Sequence, residues 1–229
     1  MTLRAATFAF ISSLAISLSA VLPVNAQQKK AISNEVAEDS TAFFNGFAVS
    51  VDLVGLVQYA VSDYGQFEGA LRLNLLDKYF PTVEIGVGRA NSEDDISRVI
   101  YKTTAPYFRL GCDYNLAKDK HDIYRIFGGL RYAFTSFKFD DSRPGLTDPK
   151  FGGSAPYGAE GVSCNFHWAE VVLGVDAKLW GPIHLGWFAR YRKRLSHSSM
   201  DIGNEWYVPG FGETSSSAIG ATFNLTIDI

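Results

Sequence analysis

Cysteine and histidine are scarce: two of the first, Cys112 and Cys164, and four of the second among 229 residues. No Cys/His cluster has metal-ligand spacing, and no glycine-rich phosphate loop is present. Charge of one sign is lacking too. Twenty-one Lys and Arg stand against 24 Asp and Glu, a net charge of -3. No global basic field recruits nucleic acid, and no basic stripe marks a nucleic-acid face. The mean hydropathy is +0.01, which excludes a bundle of membrane helices. No catalytic, cofactor-binding or metal site is therefore expected.

What is present begins with export. Arg4 precedes the apolar stretch AATFAFISSLAISLSAVLPV, and Val24-Asn25-Ala26 places small or branched residues ahead of Gln27. Residues 1–26 read as a secretory signal peptide, with a retained anchor helix as the alternative. No Cys follows the cleavage site, which argues against lipoprotein processing. Residues 27–45 open with QQKKAISNEVAEDST, polar and unpatterned, and read as a flexible tail. The remaining 46–229 form the folded domain.

That domain alternates with period two almost throughout, and no long stretch of helical period competes. Eight strands are predicted, at Phe47–Val57, Gln66–Leu75, Thr82–Arg89, Ala105–Leu116, Ile123–Phe139, Asn165–Leu179, Ile183–Ser196 and Ser216–Ile229. The connections LDKYFP, AKDKHD and WGP are short; those after strands three, five and seven are long. In an up-and-down sheet this puts the short turns and both termini at a trim end, and the long loops at an elaborate end. Cys112 and Cys164 then fall at opposite ends of their strands, so no disulfide is expected, since a bridge needs Cα atoms within about 7 Å.

The hairpin AEVVLGVDAKLWGPIHLGWFARYRKRL shows the pattern most clearly. One parity is apolar; the other carries Glu170, Asp176, Lys178, His184, Arg190, Arg192 and Arg194. A three-residue turn, Trp180-Gly181-Pro182, sets Leu179 opposite Ile183, Glu170 opposite Arg192 and Lys178 opposite His184. Alternation alone does not say which face points inward. A soluble, secreted lipocalin-like barrel holding an apolar ligand shares the pattern, as does a β-sandwich.

Three features favour the membrane. Charges of both signs sit at mid-strand on the polar parity. Gly86, Gly111, Gly129, Gly174, Gly186 and Gly220 lie on that same parity, where a narrow lumen needs space. Aromatics on the apolar parity gather toward strand ends: Tyr79, Tyr114 and Tyr124 near the short turns, and Phe67, Tyr132, Phe134 and Tyr191 toward the long loops. That is the disposition of two interfacial girdles, with Trp187 and Phe223 off the belts. The expected fold is all-β: an eight-stranded antiparallel up-and-down transmembrane β-barrel of the outer-membrane type, after a signal peptide.

The segments SVDLVGLVQYAVSDYGQFEGALRLNLLDKYFPTVEIGVG, APYFRLGCDYNL, GGLRYAF, WGPIHLGW and GNEWYVPG resemble an uncharacterised family of outer-membrane-type barrels from Bacteroidales, a domain-of-unknown-function family. The resemblance runs from about Phe44 onward. It implies an exported barrel and brings no activity and no site residues. The chain departs from many outer-membrane barrels at its end, Leu225-Thr226-Ile227-Asp228-Ile229, which lacks a terminal aromatic.

The lumen is expected to hold a balanced network of Asp52, Glu68, Arg72, Glu84, Arg109, Asp113, Arg125, Arg131, Glu170, Asp176, Arg190 and Arg192. Buried charges need such partners. The alternative is an anion path along Arg190, Arg192 and Arg194, which an eight-stranded barrel has little room for. Trp206, Tyr207 and Phe211 either fold over the barrel mouth or form a recognition surface. A lipid-modifying enzyme, an acyltransferase or phospholipase, would use rim His167 or His197 with nearby Ser198, Ser199 and Asp201, but no nucleophile motif accompanies them. His121 falls in a short turn, and the acidic run Ser92-Glu93-Asp94-Asp95 lacks calcium-loop spacing. Outer-membrane lipid and the envelope assembly machinery are the expected partners.

Overall fold

The computed structural model describes residues 42–93, 98–117, 123–147, 150, 152, 154–198 and 205–229. The expected signal peptide and nearly all of the tail lie outside these residues, as do Asp94, Asp95, His121, Ser199 and Asp201. The elements are β1 (Phe44–Asp52), α1 (Leu53–Val61), β2 (Tyr64–Leu75), β3 (Tyr79–Glu93), β4 (Ile100–Asn115), β5 (Tyr124–Thr147), β6 (Ser154–Trp180), β7 (Ile183–His197), β8 (Tyr207–Val208), β9 (Gly212–Glu213) and β10 (Ser217–Asp228). Eight long strands close a barrel in the order β1-β10-β7-β6-β5-β4-β3-β2, and β8-β9 form a separate two-stranded sheet. Every neighbouring pair is antiparallel, including the β1-β10 closure, where Ala48 pairs with Asp228 and Asp52 with Asn224.

The ring decides the orientation of the alternation. The charged parity faces in: Glu84, Arg109, Glu170 and Arg190 are each at most 2 % exposed. The apolar parity faces out, with Leu110 at 63 % and Leu130 at 67 % exposed. This is the reverse of a lipocalin, whose oily face lines the interior, and it overturns that alternative. A charged interior inside a closed, apolar wall is the outer-membrane type of barrel. Among the described residues no helix is long and apolar enough to cross a membrane.

Four local expectations need correction. First, Leu53–Val57 is not the end of a strand. Its branched residues suggest one, but Asp52 accepts the Val54 N–H at 3.2 Å and starts a helix, as a helix-capping side chain does. Gly55 then packs so closely that an added Cβ would lie 2.6 Å from Asp52 Oδ2 and 2.7 Å from the Gln66 carbonyl oxygen. Second, the first strand starts at Phe44, paired with Leu75 and so inside the span read as tail. Third, the hairpin turn is the two residues Gly181-Pro182, with Trp180 opposite Ile183. A bulge between Lys178 and Trp180 restores the expected pairs Lys178–His184 and Glu170–Arg192. Fourth, β5 and β6 run well beyond the expected Phe139 and Asn165, so most of that long connection is paired strand.

The helix changes how the barrel closes. Strand β1 pairs with β10 only up to Asp52–Asn224 and with β2 only up to Val51–Gly69. Both neighbours continue toward the elaborate end, β2 from Tyr64 and β10 from Ser217. Helix α1 packs against β2 and β10 there. The Arg89 guanidinium donates to the Tyr59 carbonyl oxygen and lies 4.3 Å from the Tyr59 ring centroid, clasping the helix to β3.

Candidate functional site: the charged lumen

Three carboxylates form the centre of the lumen. Glu84, on β3, meets Arg190 Nη1 at 2.6 Å, Arg131 Nε at 3.1 Å and Arg109 Nη1 at 3.3 Å. Glu68, on β2, meets Arg190 Nη2 at 3.1 Å, pairs with Arg109, and accepts the Tyr107 hydroxyl at 2.7 Å. Glu170, on β6, meets Arg109 Nε at 3.0 Å, Arg190 Nη1 at 3.3 Å and Arg192 Nε at 3.5 Å, and accepts the Trp168 indole N–H at 2.6 Å. Each carboxylate thus reaches arginines on two or more strands. Arg109 Nε and Arg192 Nε meet Glu170 as ion pairs without a hydrogen bond; the hydrogen-bonded contacts among these are charge-assisted, the stronger class, and together they cross-link the wall.

A second group lies toward the trim end. Arg131 binds Asp113 with both Nη atoms, each at 2.7 Å. Arg72 lies 3.6 Å from Asp113 and 3.7 Å from Asp176, with its guanidinium carbon 4.8 Å from the Phe127 ring centroid. His184 sits between Asp176 at 3.4 Å and Asp228 at 3.1 Å, and Arg125 also reaches Asp228, at 3.3 Å. Asp52 stands apart. It is buried, but its hydrogen bonds go to the backbone N–H groups of Val54 and Phe223, so its carboxylate serves the helix and the β10 edge.

Aromatics that parity alone underplays bracket the charges. Phe80, Phe127, Val172 and Phe188 form a buried cluster on the trim side. A larger one at the elaborate side includes Tyr101, Tyr107, Phe139, Phe166, Trp168, Tyr207 and Phe211. The inward glycines make room for these side chains. A Cβ on Gly186 would come 2.8 Å from the Phe188 ring, one on Gly220 2.9 Å from Arg192 Nη2, and one on Gly174 would strike Phe188. The wall formed by β10 is lined differently, with small polar groups. There Thr222 Oγ1, Asn224 Oδ1 and Thr226 Oγ1 have no hydrogen-bond partner among the described residues.

Residues 205–213 fold into the mouth. Strands β8 and β9 enter it as a small hairpin, Tyr207 pairing with Glu213. Its carbonyls are tied to the lumen: Arg109 Nη2 donates to Gly210 O and Arg192 Nη1 to Phe211 O, both at 2.8 Å. The Tyr101 hydroxyl donates to Tyr207 O at 2.8 Å. Gly210 adopts φ +82°, and a Cβ there would lie 2.5 Å from the Tyr107 ring. Tyr207 and Phe211 are 3 % and 0 % exposed, so they are not available as a recognition surface. Only Trp206 is partly open, edge-on to Tyr64 with ring centroids 6.0 Å apart. A row of polar and aromatic loop residues looks alike whether it points into solvent or into a barrel.

Among the described residues the rim histidines do not meet a nucleophile. His167 faces outward, its Nδ1 2.8 Å from the Tyr132 hydroxyl, and stacks on Phe134. His197 lies edge-on to Phe166, and Ser198 Oγ accepts the Asn165 N–H at 3.1 Å. Glu93 of the acidic run pairs with Arg98 at 3.2 Å on the surface. Both cysteines are free, Cys112 exposed on the outer wall and Cys164 buried. Cys164 pairs with Phe137, three residues past the Phe134–His167 pair toward the elaborate end, and burial pushes its thiol up to about 11.

The family model described as "Domain of unknown function (DUF6048)" matches residues 7–229. The chain belongs to this family. No curated protein matches it. Among solved structures, the chain is similar to a major outer membrane protein from Thermus thermophilus, at 15 % identity, over 80 % of this chain and 98 % of that chain, with a TM-score of 0.42. This DUF6048 member therefore takes its functional reading from its own geometry.

Proposed function

We propose that this DUF6048 protein is a non-enzymatic outer-membrane barrel. Its lumen is filled by side chains rather than open to solutes, and its role is structural or one of surface contact. One observation carries the reading: Glu84 touches Arg109, Arg131 and Arg190 across the interior while large apolar side chains such as Leu110, Leu130 and Leu173 cover the outside. Water around that outside would oppose the fold; hydrocarbon favours it. The Tyr79–Tyr114 pair, ring centroids 5.5 Å apart, and the Phe108–Phe134 stack at 5.4 Å mark the two aromatic levels. On this reading outer-membrane lipid and the envelope assembly machinery are the immediate partners.

An eight-stranded barrel has an interior just wide enough for side chains to fill or for one small ligand; here Phe127, Val172, Phe188 and the charged network occupy it, and Arg109 and Arg192 are further tied down by the mouth hairpin. Solute passage would require breaking several buried ion pairs at once, each costly to leave unpaired. Fractionation with a heat-dependent gel shift tests the membrane reading. The protein is expected in the detergent-soluble envelope fraction, running differently before and after boiling. Release from membranes without detergent refutes it. Planar-bilayer recording tests the filled lumen, which well-defined single-channel steps would overturn.

A further inference from the structure

The outer wall carries a groove lined by Leu130, Tyr132, Ala169, Val171, Tyr191 and Lys193. It spans β5, β6 and β7 and has a volume of about 360 Å³, within the range of small-molecule sites. Its floor is Ala169. In the strand register Ala169 lies between Tyr132 on β5 and Lys193 on β7. One step toward the trim end, Val171 lies between Leu130 and Tyr191. The small alanine thus leaves a slot walled by two tyrosines, with aliphatic side chains below and a lysine ammonium above.

Three further facts define what fits. The slot starts at the outer aromatic level, since Tyr132 is hydrogen-bonded to His167 and His167 stacks on Phe134. Aromatic belts mark the headgroup depth of a bilayer. Lys193 is exposed on the outward parity, and among the described residues it has no ion-pair partner. A lysine there reaches headgroups with its ammonium while its stem stays in the apolar layer. Arg131 and Glu170 beneath the slot are spent on the lumen, on Asp113 and Arg109, so Lys193 supplies the charge.

We propose that this groove is a specific binding site for one membrane lipid with an anionic phosphate headgroup, an acyl chain lying over Ala169 between Tyr132 and Tyr191 and the phosphate held by Lys193. The proposal rests on the membrane reading above. Apolar lining, a cation at one end and the interfacial depth of that cation together match an acidic phospholipid better than a neutral lipid or a protein helix.

The test uses the full mature chain, purified from membranes in mild detergent and shown to be heat-modifiable. Native mass spectrometry then follows added phosphatidylglycerol against diacylglycerol. Wild type is expected to retain one phosphatidylglycerol. Lys193→Ala is expected to lower that occupancy at least tenfold and leave diacylglycerol unchanged. Ala169→Phe, which fills the slot and touches no lumen group, is expected to lower both while heat-modifiability persists. Equal retention by wild type, Lys193→Ala and Ala169→Phe overturns the site. So does a dimer that Ala169→Phe dissolves, which would assign the slot to a second copy of the chain. Failure of the membrane reading is separately visible as wild type that is soluble without detergent and unshifted by heat, and it refutes the lipid site with it.

Discussion

The Asp52 carboxylate accepts the backbone N–H of Phe223 at 3.1 Å, although the two residues are 171 positions apart. The same oxygen accepts the Val54 N–H. One side chain thus ends β1, starts α1 and satisfies an edge donor of β10 at the point where strand pairing stops. In a membrane-embedded wall an unsatisfied edge N–H is costly, so the first strand can stop there without leaving that donor orphaned.

Asp52→Ala removes both bonds and is expected to destabilise the fold by about 1–3 kcal/mol, the cost of losing a cap and orphaning a buried donor. Asp52→Asn keeps an acceptor oxygen and should lose less. Urea unfolding in detergent micelles measures both. Equal loss in the two variants would mean that the carboxylate's charge, and not its acceptor geometry, matters at this junction.

Arg190 serves three carboxylates, Glu68, Glu84 and Glu170. Arg190→Met leaves them with too few cations and is expected to cost about 3–5 kcal/mol, the usual result of removing one partner from a buried charge network. Adding Glu84→Gln to Arg190→Met should recover part of the loss, because it restores charge balance. A double-mutant cycle reads the coupling, and additive losses would show that the charges act independently.

Gly174 is predicted to be limited by space rather than by backbone freedom. Its Cβ position is occupied by the Phe188 ring. Gly174→Ala is expected to destabilise by about 1–3 kcal/mol through overpacking. Phe188→Leu in the same chain should relieve much of that, although alone it loosens the trim-side cluster. Rescue in the double variant is the decisive measurement, read from the temperature of the heat-dependent gel shift.

The two cysteines report on opposite environments. Cys164 is 1 % exposed, and its thiol stays protonated at pH 8 because burial pushes it up to about 11; the thiolate is the reactive form. It should resist maleimide until the protein unfolds. Cys112 lies on the outer wall between Leu110 and Tyr114 in sequence. It should resist a charged, membrane-impermeant maleimide in intact membranes yet react with an apolar one. Rapid labelling of Cys112 by the charged reagent in membranes would place that wall in water.

Period-two alternation, eight strands and the inequality of the two ends are written in the sequence, because a strand's side chains alternate faces whatever surrounds it. The parity of Glu68, Glu84, Arg109, Glu170 and Arg190 follows from the same fact. Which parity faces inward is a property of closure: β1 must meet β10 before the charged face has an inside. Partner choice is tertiary for the same reason. Arg190 meets Glu68 from 122 positions away, a contact that no local spacing encodes. Leu53–Val57 reads as the end of a strand from its branched residues and becomes the start of a helix, Leu53–Val61, because Asp52, fixed by β10, caps it. Tyr207 and Phe211 read as loop aromatics and become core because Arg109 and Arg192 hold the carbonyls of Gly210 and Phe211 within the mouth. Local sequence sets what each segment can form; the closed barrel sets what lies within hydrogen-bond reach, and at these sites that decided the structure.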